Sequence, residues 1–140
     1  MIALLAVAVI LGLATSGYLL WKHYGPSYGP SRGPLICPFG QSCDFVLDSR
    51  YGRLLGFRNE IIGAGYYILV LVLLALMGQG RELVEGIDLS AAATALSGLA
   101  AAVSVALTAI QVFILRNYCS WCLLANLVNV FLFFGLLMTR

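Results

Sequence analysis

The sequence predicts an all-α integral membrane protein, an antiparallel four-transmembrane-helix bundle with a cysteine-bearing loop and short helix between spans one and two. Three observations carry that expectation. Of the 140 residues, 61% are hydrophobic and only 10% are charged, whereas a soluble domain usually carries about 25% charged residues. Four stretches, Ile2–Leu20, Ile61–Met77, Leu89–Leu115 and Tyr118–Met138, contain no Lys, Arg, Asp or Glu. Each is near the ~20 apolar residues that cross ~30 Å of hydrocarbon, where only a helix satisfies its own backbone. The connections after the second and third stretches are short, as antiparallel neighbours require. The length suits a single domain over residues 1–140. The net charge of +2 rests on few, scattered basic residues, so no basic patch points to nucleic acid as a partner.

The first stretch has the length of a span but not the basic flank of a cleaved signal peptide, so Ile2–Leu20 reads as retained. Residues 21–60 form the one long polar segment. It opens on a quasi-repeat, Tyr24-Gly-Pro-Ser27, Tyr28-Gly-Pro-Ser31, Arg32-Gly-Pro-Leu35, whose regular Gly-Pro pairs forbid a helix and suit a linker. Ser42 then reads as an N-cap for a short helix through Phe45-Val46-Leu47. After the second span comes a short acidic loop, residues 78–88. The third span is long enough to tilt, and its Ala, Gly, Ser and Thr content predicts a close packing face. The fourth opens on Asn117-Tyr-Cys-Ser-Trp-Cys-Leu-Leu-Ala-Asn126.

Counting crossings puts the loop after span one and the junction after span three on the same side of the membrane. Cys37 and Cys43 can therefore meet Cys119 and Cys122. Four thiolates suit structural zinc, but the step from Cys37 to Cys43 is loose for that, and one pair sits at the edge of lipid. Two static disulfides are a second possibility. Against them, Cys119 and Cys122 would close a ring too small to constrain the unfolded chain much. A redox dithiol is the third possibility, and the helix start favours it. Unpaired N–H groups and the helix dipole stabilise a thiolate at Cys119, and the thiolate is the attacking species. Cys122, Asn126 and Asn129 continue the same face at steps of 3, 4 and 3. Asn129 is expected to bond a neighbouring helix. Asn126, beside the inner cysteine, could donate to a carbonyl on a lipid-soluble oxidant. Electrons would pass from a water-soluble dithiol to the loop pair, then to Cys119, and from Cys122 to a two-electron acceptor in the bilayer, for which a quinone is suited.

The loop pair Cys37-Pro-Phe-Gly-Gln-Ser-Cys43, Ser49-Arg-Tyr-Gly-Arg53 after it, Asn59-Glu-Ile-Ile-Gly63 and Cys119-Ser-Trp-Cys122 together resemble the vitamin K epoxide reductase family of membrane thiol oxidoreductases. The resemblance covers nearly the whole chain. It implies a four-helix bundle around a quinone, capped by the loop. Cys37 would meet the protein partner, Cys43 would relay to Cys119, and Cys122 would react with the quinone. Ser49 matches a serine near the active site, and Asn59 an asparagine that bonds a quinone oxygen. Where the animal enzymes often carry tyrosine, this chain has Asn126. Microbial members commonly oxidise a thioredoxin-fold partner and reduce ubiquinone or menaquinone. With Arg140 as the last residue, that partner is expected to be a separate protein, and no metal is expected. A quinone or quinone-epoxide reductase, and a structural subunit with static disulfides, are the competing readings.

The cysteine side carries Lys22, Arg32, Arg50, Arg53, Arg58 and Arg116, against Arg81 and Arg140 opposite. The positive-inside rule turns the cysteines of this cell-membrane protein to the cytoplasm. The usual prokaryotic arrangement of the family turns them outward.

Overall fold

The computed structural model describes residues 1–24, 37, 43–81 and 83–140. The Gly-Pro repeat and Ser42, the expected cap, lie outside them. Four helices are long and apolar enough to cross a membrane. The first, α1, is Ile2–Tyr24, and the short α2 is Cys43–Asp48. A turn of 3₁₀ helix at Arg50–Gly52 leads into a two-residue hairpin, β1 (Arg53–Leu54) and β2 (Phe57–Arg58), and then α3, Asn59–Gly78. A second hairpin, β3 (Leu83–Val84) and β4 (Ile87–Asp88), precedes α4, Leu89–Ala109. The third span continues from α4 as a π-helical stretch, Ile110–Leu115, and α5 is Ser120–Thr139.

The span ends differ from those expected. The first helix runs on past Leu20 to Tyr24, and the second begins at Asn59 rather than Ile61, so Glu60 is a helical residue. The polar loop is correspondingly shorter at both ends. Hydropathy stops at the first charge, whereas a helix stops where its backbone groups find other partners. At α4 the stop is a cap: Asp88 Oδ1 accepts from the backbone N–H groups of Ser90 and Ala91. A bond from the Ser90 hydroxyl, with these two, holds the Asp88 carboxyl below its ordinary range.

Helix α1 buries Leu5, Ala8, Val9, Gly12, Thr15, Ser16 and Leu19, a stripe with the three-and-four spacing of one helical face. It packs against α3 and α5, while α4 packs chiefly on α5. Leu5, Val9, Tyr67, Val70, Leu74, Ala93, Leu132 and Leu136 form the core between them. Gly12 is needed for close approach, because a Cβ there would overlap the Tyr67 ring. Among the helix pairs that pack on each other, α3 and α4 touch least, and residues of both line a cavity.

Both hairpins turn through two residues of positive φ, Leu55 (54°) with Gly56 (85°), and Glu85 (52°) with Gly86 (84°). That is the mirror-image turn that matches strand twist. A single crossing by α3 separates them, so the hairpins lie on opposite faces of the bundle.

Candidate functional site

The four cysteines come together. Cys43 and Cys119 are buried in one cluster with Leu19, Val46 and Leu47, and Cys37, Cys122, Tyr18, Leu115 and Trp121 pack against it. Cys37 and Cys43 are joined by a disulfide with Cα atoms 6.3 Å apart. Cys119 and Cys122 are free thiols. Helix α2 delivers Cys43 from the loop side. Its placement is fixed from below, because Gly52 lies so close to Leu47 that a Cβ would run into the Leu47 carbonyl. From the other side, the Trp121 ring packs at a tilt on Tyr18 of α1, centroids 5.0 Å apart, and anchors the start of α5.

Cys119 is the N-cap of α5, and its sulfur accepts the backbone N–H of Cys122 at 3.2 Å. The Cys122 thiol, then the backbone N–H groups of Cys122 and Trp121, hold the Cys119 thiol below its ordinary range, outweighing burial and the Glu60 carboxylate. A helix start thus favours the thiolate here by donated hydrogen bonds. The backbone N–H of Cys119 is in turn donated to Gln111 Oε1 at 3.0 Å. Gln111 stands in the π-helical stretch, which ends at Arg116 in a left-handed conformation (φ 50°). A π segment admits an extra residue per turn and is frequent at functional sites.

The cavity has a volume of about 260 Å³. Asn59, Glu60, Ile62 and Tyr66 line it from α3, Leu99, Val103 and Ser104 from α4, and Cys122, Asn126 and Asn129 from α5. Leu47 and Tyr51 close it on the loop side. Its walls are mostly apolar with a few convergent polar groups, the usual make-up of a small-molecule site. Ile62 on α3 and Leu99 on α4 line the cavity and are also exposed on the outer surface of the bundle. The volume lies just below the ~300 Å³ at which drug-sized pockets begin. It suits one small, flat ring system. Among the described residues, Glu60 Oε2 is a buried oxygen without a partner on this wall. The apolar walls and the amide donors of Asn59 and Asn126 fit a quinone head group.

The other expected site residues are placed as follows. Asn59 donates one amide hydrogen to the Tyr51 carbonyl at 2.9 Å, bracing the loop while lining the cavity. Asn126 also lines the cavity, and its amide donates to Thr108 Oγ1 at 2.9 Å. Ser49 is not on the cavity wall; its hydroxyl turns back to donate to the Val46 carbonyl at 2.6 Å. Asn129 joins three helices, accepting from the Tyr67 hydroxyl at 2.7 Å and donating to Ser104 Oγ at 2.8 Å. Sequence reasoning passed over Gln111, Arg58, Glu60 and Tyr67. Polar groups at membrane depth are costly and usually functional, and Gln111, a lone amide in the third span, carried that signal.

The family model described as "Vitamin K epoxide reductase family" matches residues 3–137. No curated protein matches the chain.

Proposed function

Because the chain belongs to the vitamin K epoxide reductase family, and is thereby a multi-pass membrane redox enzyme working through cysteines, we propose that it oxidises a thioredoxin-fold partner and reduces a bilayer quinone. The observation that carries this reading is the single cluster of four cysteines, one of which, Cys122, is also on the cavity wall. The partner's dithiol reduces the loop disulfide at Cys37. Cys43 then attacks Cys119 of a Cys119–Cys122 disulfide, and Cys122 leaves as a thiolate. Cys37 next attacks Cys43, closing the loop disulfide and releasing Cys119. The outcome is a loop disulfide beside two free thiols, the pairing seen here. The lowered Cys119 thiol makes it a good leaving group in that last exchange.

A quinone bound in the cavity would supply a two-electron oxidation of the inner pair. Asn59 and Asn126 would hold its oxygens, and the apolar walls of α3 and α4 would keep water from the reacting sulfur. Ser49 supports this arrangement indirectly, by closing the end of α2.

The cysteine side is proposed to face the cytoplasm. Arg58 does not belong in the charge count, since it is buried and paired with Glu60, but Lys22, Arg32, Arg50, Arg53 and Arg116 still outnumber Arg81 and Arg140. Labelling of Cys37 by an impermeant thiol reagent on intact cells, after the loop disulfide has been reduced, would end that orientation. The function itself is tested by anaerobic quinone reduction with a dithiol donor, comparing wild type with Cys122→Ser. Loss of turnover in the variant is expected; equal rates would remove Cys122 from the chemistry.

A further inference from the structure

Arg58 and Glu60 form a buried ion pair that is only half used. Arg58 Nη2 lies 3.3 Å from Glu60 Oε1, and Arg58 Nη1 lies 3.8 Å from Asp48 Oδ1 on α2. Glu60 is 4% and Arg58 5% exposed, yet Glu60 Oε2 and Arg58 Nε have no hydrogen-bond partner among the described residues. As a pure fastening this is a poor device. A buried pair stabilises only when its geometry is good and its remaining donors and acceptors are satisfied, and arginine can meet a carboxylate through two parallel bonds. The free oxygen belongs to a residue that lines the same cavity as Cys122. Arginine does not release its proton, so within the pair only the carboxyl can change its protonation. The hydroxyls of Tyr66 and Tyr67, also on this wall, are already committed to Ser97 and Asn129.

We propose that Glu60 is the proton-exchanging residue of the cavity, taking a proton from the Cys122 side as the inner disulfide closes and returning it to the reduced acceptor. This rests on the function proposed above. Closure of the Cys119–Cys122 bond releases two electrons and two protons. The electron pair passes to the quinone, whose conversion to quinol consumes two protons. One proton travels through Glu60. The other is lost to water as Cys119 ionises and is recovered from water at the second quinol oxygen. Arg58 keeps Glu60 in place, and Asp48, whose side chain is 68% exposed, ties the pair to the surface.

The test uses the full chain in lipid vesicles with three variants: Glu60→Gln, Glu60→Asp, and Arg58→Gln combined with Glu60→Gln, which leaves no buried charge unpaired if the single variant fails to fold. Infrared difference spectra between dithiol-reduced and oxidised protein, without quinone, should show a carboxyl C=O signal that shifts in D₂O. It should be absent in Glu60→Gln and in the double variant and present in Glu60→Asp. Quinone reduction should fall about a hundred-fold in Glu60→Gln and in the double variant, the usual scale for a lost general acid–base group, with partial recovery in Glu60→Asp. A signal that is missing in wild type, or that persists in Glu60→Gln, overturns the proposal. So does a folded double variant that turns over like wild type. Wild type that shows the signal but reduces no quinone would instead refute the enzymatic reading and leave Glu60 as the proton partner of the dithiol.

Discussion

Replacing Gln111 by leucine removes the acceptor of the Cys119 backbone N–H and little else of its shape. Cys119 is 0% and Gln111 4% exposed, so water does not take over the lost bond. Two magnitudes compete. An unsatisfied buried donor costs about 1–3 kcal/mol, while side-chain bonds between membrane helices average only about 0.6 kcal/mol, because the separated helices find other partners. Here the donor is a backbone group at the N-cap of α5, fixed by the chain on both sides. The first figure therefore applies, and about 2 kcal/mol is expected. For a chain of this size that lowers the unfolding midpoint by roughly 6 °C. Circular dichroism of purified protein in detergent measures the shift, and maleimide labelling of reduced protein should show Cys119 reacting faster as its anchor loosens. A Gln111→Leu protein within about 0.5 kcal/mol of wild type, the scatter of neutral surface changes, with unchanged Cys119 labelling, would refute the role of this bond.

Cys122→Ala removes the largest influence lowering the Cys119 thiol, so the alkylation rate profile of Cys119 should move to higher pH and its rate at neutral pH should fall. Cys37→Ser should spare turnover with a small dithiol while blocking a protein donor; loss of both would contradict the relay order. Tyr67→Phe deletes the bond to Asn129 Oδ1 and should cost about 1 kcal/mol in the bundle, read as a lowered unfolding midpoint. Gly12→Ala drives a methyl group into the Tyr67 ring and should cost about 1–3 kcal/mol by overpacking. Adding Tyr67→Leu should recover much of that loss, and strictly additive effects would mean the two do not touch.

The spans, their antiparallel order and the meeting of the cysteines were legible because each rests on a local pattern: apolar runs, short connections and a count of crossings. The stripe from Cys119 through Asn129 was legible for the same reason, since the three-and-four spacing survives folding. Glu60 and Arg58 were not. A charge beside an apolar run reads as the edge of a span, and nothing local shows that the two side chains bury each other. Gln111 stood out as a lone amide in the third span, but its bond to the Cys119 backbone depends on the π-helical stretch and the turn at Arg116, which no local pattern announces. The hairpins escaped because their turns are Leu55-Gly56 and Glu85-Gly86, not the Asn-Gly or Asp-Gly pairs that announce such turns. Ser49 was assigned by resemblance alone, and the structure places its hydroxyl on the Val46 carbonyl, outside the cavity wall.

The two hairpins have a mechanical meaning for the lipid. Helix α3 has 20 residues, about 30 Å at 1.5 Å per residue, which equals the hydrocarbon thickness of an average bilayer. It starts directly on one hairpin and ends a few residues before the other. Leu55 and Phe57 protrude from the first, and Leu83 and Ile87 from the second. Exposed apolar tips thus flank a helix whose length matches one bilayer thickness. In a thinner membrane that match is lost, and tilt of the helix or local thickening of the bilayer must make up the difference.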